Sequence, residues 1–160
     1  MVDGCGWEGL ASGVSELRYL QPADDAGLED WRHVHNLIIP SHELSLEGVR
    51  ERAQRNRLEV AYLGDELIGC TTVRPPTSDS PAATVIARVL PAHRRRGFGE
   101  ELYARALEYA RTLGADTVET VVLASNNDGL RFAQKHGFVE IETYLLPGDT
   151  VPYIDLRLNP

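Results

Sequence analysis

A β-rich run, Ala83 to Leu90, stops at Pro91, passes three consecutive arginines, Arg94, Arg95 and Arg96, and enters the clearest helical pattern of the chain through Gly97-Phe98-Gly99. In that helix Phe98, Leu102, Ala106, Ala110 and Leu113 fall on one face, and Gly114 is placed to end it. A helix start leaves backbone N–H groups unpaired and partly positive, and glycine lets an anion approach the chain closely. The junction reads as a cradle for a pyrophosphate; the same residues also suit a glycine-eased turn with solvated arginines. Two other phosphate-binding loops fail by spacing. A dinucleotide fingerprint needs a third glycine where Leu102 stands, and a P-loop needs Gly-Lys-Ser/Thr where the chain has Gly99-Glu100-Glu101, which also disfavours a kinase-like domain.

The rest of the chain supplies elements around this junction. Glu16 to Gln21 alternates as a first strand. Pro22-Ala-Asp-Asp opens a helix that runs towards Ile39 and stops at Pro40, and Ser41 or Ser45 can cap a second helix with Leu46, Val49 and Ala53 on its apolar face. The β-rich runs Leu58 to Leu63 and Glu66 to Val73 flank Gly64-Asp65 as an antiparallel hairpin. After the long helix come a strand at Thr117 to Leu123, a short helix from about Asn127 to His136 closed by Gly137, and strands near Phe138 to Leu146 and Val151 to Leu158. This order describes one mixed α/β domain.

Composition narrows the function. The 160 residues, 42% hydrophobic and 25% charged, exclude a mainly disordered chain, and no apolar run is long enough for a membrane span. Residues 1–14, glycine-rich and without a basic flank leading into an apolar core, read as a flexible tail rather than a signal peptide. Cys5 and Cys70 are too far apart to suggest a disulfide framework or a metal motif, which fits a cytoplasmic location. A net charge of −8 argues against nucleic acid as partner. Acidic residues gather on the first two helices, at Asp24, Asp25, Glu29, Asp30, Glu43, Glu47 and Glu51. Such a split suits an anionic cofactor and a cationic substrate, or a solvated helix surface.

Val89-Leu90-Pro91 followed by Arg94-Arg95-Arg96-Gly97-Phe98-Gly99 resembles the acetyl-CoA motif of the GNAT family, the Gcn5-related N-acetyltransferases. A second block, Ala124-Ser125-Asn126 and then Lys135-His136-Gly137-Phe138, resembles the family's other motif at the usual separation. The resemblance implies a GNAT-type α/β domain over residues 15–160, with a central, mostly antiparallel twisted sheet flanked by helices and two splayed strands holding the cofactor. It implies that acetyl-CoA is the cosubstrate. The pantetheine arm would bond to the backbone near Ala87, Arg88 and Val89, with Asn126 on its other side. Arg94 matches the motif, and the pyrophosphate would rest on backbone N–H groups of Arg95, Arg96, Gly97, Phe98, Gly99 and Glu100.

The family's catalytic groups are only partly present. Many members carry a tyrosine, thought to protonate the leaving thiolate, where this chain has Ala133. Members often place a glutamate base on one of the splayed strands; Thr84-Val-Ile-Ala-Arg-Val has none, and at the matching position of the next strand stands Val121. Glu119 shares its side-chain parity and is the candidate base, with Ser125 and Tyr144 as further polar candidates. His33, His35 and His42 suit surface or helix packing and lack metal-site partners. The implied activity is direct transfer of an acetyl group to an amine of a small molecule or peptide; a non-catalytic acyl-CoA-binding module is the alternative. A homodimer is compatible with either.

Overall fold

Residues 16–158 are described by the computed structural model, and the tail expected over residues 1–14 lies outside them, as does Cys5. Strand β1, Leu17–Leu20, leads to helix α1, Asp25–Ile38, whose N-cap Asp24 accepts from the Gly27 N–H. Helix α2, Leu46–Arg55, is capped by Ser45, which accepts from the Gly48 N–H. Then follow β2, Arg57–Leu63, β3, Glu66–Arg74, and β4, Ala82–Val89. Helix α3, Phe98–Thr112, precedes β5, Thr117–Leu123, and α4, Asn127–Lys135, precedes β6, Phe138–Tyr144, and β7, Tyr153–Leu158. The last two strands are shorter than the sequence pattern predicts. Pro147-Gly148 turns the chain, with Gly148 at φ +86° and the Asp149 N–H bonded to the Leu146 carbonyl.

The strands form one seven-stranded sheet in the order β1-β2-β3-β4-β5-β7-β6. Every neighbouring pair is antiparallel except β4 and β5. A parallel pair needs a long crossover, and α3 provides it. Alternation along the strands divides the apolar residues between two faces. On one, Ala83, Val85 and Leu156 pack with Tyr103, Ala106 and Ala110 of α3 and Ala133 of α4. On the other, Leu58, Val60 and Cys70 pack with Leu28, Trp31 and Val34 of α1 and Val49 of α2. Trp31 is fully enclosed and donates its indole N–H to the Thr71 carbonyl. Truncating an aromatic so placed costs about 3–5 kcal/mol.

Gly69 sets the approach of β3 to β4. A Cβ there would run into the Arg88 carbonyl oxygen, so only glycine lets the two backbones pair at Gly69 and Val89. One helix residue ties this fold to pH. His35 is buried, stacks on Trp31 at 5.4 Å and bonds through Nε2 to the His42 carbonyl. Burial, with the Arg88 charge adding to it, pushes its pKa down to about 4. The folded state therefore prefers neutral imidazole, and this contribution is complete above the unfolded value of about 6.5 and is lost as pH falls towards 4. Urea unfolding at pH 7.5 and pH 5 should show a loss of about 2 kcal/mol from this residue. His35→Gln, which keeps a donor but does not titrate, should flatten that slope; an unchanged slope would contradict the assignment.

Candidate active site

Strands β4 and β5 pair only from Ala82–Thr84 to Thr117–Glu119 and then part. Between the diverging segments lies a cavity of about 720 Å³, walled by Ile86 to Val89 on one side and Thr120 to Leu123 on the other. Tyr103, Phe132 and Ala133 close one side of it. The β4 edge facing this gap has no strand partner beyond Thr84, so its N–H and C=O groups can bond an extended ligand as a strand would. The Tyr103 hydroxyl is buried in this wall without a hydrogen-bond partner.

At one end the cavity meets the start of α3. Arg95, at φ +64°, and Gly97, at φ +84°, both take left-handed conformations. Such a loop turns successive N–H groups to one side, and the helix behind it has no side-chain cap, so its first donors are available to an anion. Ala87, Arg88 and Val89 line the cavity, as do Arg94, Arg95, Gly97, Gly99 and Glu100. The side chains of Arg96 and Phe98 do not line it: Arg96 lies over the Phe98 ring at 4.9 Å and contacts His93 Nδ1 at 3.2 Å. Arg94 folds back, its Nε donating to the Val89 carbonyl at 2.9 Å, and so fixes the loop against the strand end. Arg95 reaches Asp128 of α4 at 3.7 Å. Asn126 also lines the cavity. Its Oδ1 caps α4 by accepting from the Gly129 N–H, which leaves its amide N–H₂ free to donate inward.

The catalytic candidates from sequence fare unevenly. Glu119 sits outside the cavity lining, with its carboxylate held by Arg157 at 2.6 Å. Ser125 is exposed on the bend before α4 and is also outside it. Tyr144 donates to Asp155 at 3.0 Å, and burial raises its pKa to about 12. Ala133 is buried in the cavity wall. The Cys70 thiol is fully enclosed and pushed up to about 12 by burial, which makes it a poor nucleophile. Among the described residues no group of three or more His, Cys, Asp or Glu is placed to hold a metal. No helix there is long and apolar enough to cross a membrane.

The profile of the Acetyltransferase (GNAT) family matches residues 23–138, from α1 to the start of β6. The chain belongs to the GNAT family. An uncharacterized N-acetyltransferase of Bacillus subtilis (strain 168), YvbK, is 36% identical over 117 residues, covering 71% of this chain and 72% of the relative. The fold resembles that of yncA, an acetyltransferase from Salmonella typhimurium solved with its cofactor acetyl-CoA. The TM-score is 0.72 at 15% identity, with 90% of this chain and 94% of the other covered. A Bacillus subtilis acetyltransferase solved with CoA gives 0.64 at 24% identity, covering 90% and 97%.

One carboxylate that the sequence did not single out stands near the β5 wall of this GNAT domain. Asp155 of β7 is the direct cross-strand partner of Val121, so its side chain stands beside that position on the same sheet face, although like Glu119 it does not itself line the cavity. Burial raises its pKa, nearby Glu119 and Glu142 add to the rise, and the Tyr144 hydrogen bond opposes it. The acidic residues of α1 and α2, by contrast, are engaged at the helices: Asp25 with Arg50 at 2.6 Å, Glu51 with Arg55 at 3.0 Å, Asp30 with the Tyr62 hydroxyl at 2.6 Å. None lines the cavity of this GNAT domain.

Proposed function

We propose that this chain is an acetyl-CoA-dependent N-acetyltransferase that acetylates an amine of a small molecule or peptide directly. The observation that carries the reading is the cavity between β4 and β5, which ends on the uncapped start of α3. Its shape suits a long ligand with an anionic end, and two proteins of the same fold were solved with acetyl-CoA or CoA. The N–H groups from Arg95 to Glu100 would hold the pyrophosphate, with the β4 backbone at Ala87 to Val89 and the Asn126 amide on the pantetheine arm. The buried Tyr103 hydroxyl offers a further donor from the wall.

Bound there, acetyl-CoA supplies a thioester whose C–S bond breaks as the acceptor nitrogen bonds to the carbonyl carbon, the sulfur leaving as thiolate. Asp155 takes the proton that the attacking nitrogen must lose, because it is the carboxylate beside Val121 and its raised pKa strengthens it as a base. Tyr144 orients that carboxylate. No acid is needed at position 133: a thiol's pKa of about 8.5 lets thiolate leave near neutrality, and the proton on Asp155 passes to solvent. Ala133 is the feature that favours the other reading, a binding module without turnover.

Thermal unfolding tests the cofactor assignment. CoA at about a hundred times its dissociation constant stabilises by roughly 2.7 kcal/mol, which for this size raises Tm by about 5–10 °C. NAD and ATP should have no comparable effect. A folded sample whose Tm ignores millimolar CoA would overturn the reading, and release of free CoA thiol in an amine screen would separate enzyme from module.

A further inference from the structure

Most arginines of the domain are neutralised by a neighbouring acid. Arg50, Arg55, Arg57, Arg105 and Arg157 each reach a carboxylate within 3.2 Å. Of the seven that reach none within 4 Å among the described residues, Arg52, Arg74 and Arg88 lie together. Arg74 ends β3 and Arg88 lies near the end of β4; the register pairs Arg74 with Thr84 and Cys70 with Arg88, which puts both side chains on the face covered by α1 and α2. Arg52, in the last turn of α2, comes down onto the same face. The guanidinium groups are near enough that Arg74 and Arg52 lower the pKa of Arg88, after burial, and Arg74 lowers that of Arg52. Among the described residues none of the three has a salt-bridge partner.

Arg88 and Arg52 are partly buried, whereas Arg74 is exposed. Arg88 lines the cavity between β4 and β5, on the side away from α3. Tyr153 of β7 lies close to Arg88 and Arg52. The acids nearest the cluster are engaged by other groups, Asp155 by the Tyr144 hydroxyl and Asp149 by His42 at 2.7 Å. His35, also beside Arg88, is held neutral and has a buried Nδ1 without a partner. Asp155 feels the charge of Arg74 but is bonded to none of the three; arginines held together without a bonded carboxylate suit an oxyanion, and their fork of donors fits carboxylate and phosphonate.

We propose that Arg52, Arg74 and Arg88 bind an oxyanion carried by the acceptor, which is an amino acid or a related molecule bearing both an amine and a carboxylate or phosphonate. The assignment rests on the acetyltransferase reading and specifies its substrate class. It places the acid of the acceptor on the arginines and its amine towards Asp155 across the same face. Polyamines are excluded by the positive charge of the cluster.

The experiment compares the standard amino acids and 2-aminoethylphosphonate with the α-carboxamides and with spermidine. Free CoA thiol is followed with the full chain, and thermal stabilisation of the CoA-saturated protein is measured in parallel. At least one acid should be used about tenfold or more better than its carboxamide in kcat/KM, and should stabilise where the carboxamide does not. Arg52→Gln, at a partly buried position, and Arg74→Gln, at an exposed one, should each raise KM for that acid about tenfold with little change in kcat, while CoA affinity by calorimetry stays at the parent value. Failure of CoA to bind overturns the acetyltransferase reading, and the acceptor site falls with it. Normal CoA binding overturns the arginine site alone if it comes with equal use of carboxamides, preference for spermidine, unchanged KM in both variants, or no acid that either turns over or stabilises.

Discussion

Asp155→Asn is expected to lower kcat by about a hundredfold or more and to leave CoA affinity unchanged, because a positioned general base contributes about 10²–10⁴ in rate. The position is fixed by pairing: β7 lies beside β5, and Asp155 opposes Val121, which lines the cavity. Stability should not fall with activity. A carboxyl whose folded pKa lies above its unfolded value binds protons more tightly in the folded state, so its ionisation opposes folding once pH rises through that range. Asparagine removes that opposition, and the variant should melt at or slightly above the parent temperature near neutral pH. The acid limb of the rate profile supplies a second readout. The parent rate should rise with pH as Asp155 ionises, and Tyr144→Phe, by removing a hydrogen bond that favours the ionised form, should move that limb to higher pH. An Asp155→Asn protein with parent kcat would return the role of base to another group or to water.

The parts of this molecule that depend on neighbouring residues in sequence were legible from sequence. The loop from Arg94 to Gly99 and the helix behind it are one continuous segment, so spacing alone marked the proposed anion site, and Gly97 takes the positive φ that such a loop needs. Caps at Asp24, Ser45 and Asn126 are likewise local. The carboxylate proposed as base was not legible, for two reasons of topology. Strand β7 inserts between β5 and β6, so the residue beside Val121 comes from more than thirty positions later in the chain, at Asp155. An irregularity between Glu140 and Glu142 then reverses the alternation of β6. Phe138 packs in the core on the α3 side, while Tyr144 pairs with Tyr153 on the opposite face. Simple parity from Phe138 would have put Tyr144 on the wrong side.

Charge was legible only in part. The acids of α1 and α2 were countable in sequence, but their partners were not; Asp25 finds Arg50 on the neighbouring helix, and Glu51 finds Arg55 one turn on. The arginine cluster did leave a trace. Arg88 stands within Thr84-Val-Ile-Ala-Arg-Val, an otherwise apolar strand, and a lone cation in such a run asks for a partner or a ligand. The resemblance drew notice to its backbone as a cofactor contact, whereas its side chain faces the other side of the sheet.

Gly97→Val should weaken CoA binding about tenfold or more, and the cause is the backbone rather than a clash. Nothing lies within 4 Å of a Cβ built at Gly97, so space is not the obstacle. Its φ of +84° is, because a β-branched residue is strongly disfavoured there. The variant must either hold a strained dihedral at about 1–2 kcal/mol or let the loop relax, and relaxation turns the N–H groups before α3 away from the anion. Arg95 already holds a left-handed conformation two residues earlier, so the loop has little tolerance for a second unfavourable residue. Gly97→Asn provides the control: asparagine tolerates this region and should retain more affinity than valine. Gly99→Ala separates the two effects. A Cβ at Gly99 would sit at ordinary contact distance from Val89, 3.7 Å, and Phe132, 3.8 Å, without steric strain in the free protein. It lines the cavity, so its Tm without ligand should match the parent while CoA affinity drops. Calorimetric titration of the three variants with CoA decides the matter, and a folded Gly97→Val protein that binds CoA as tightly as the parent would move the pyrophosphate away from this loop.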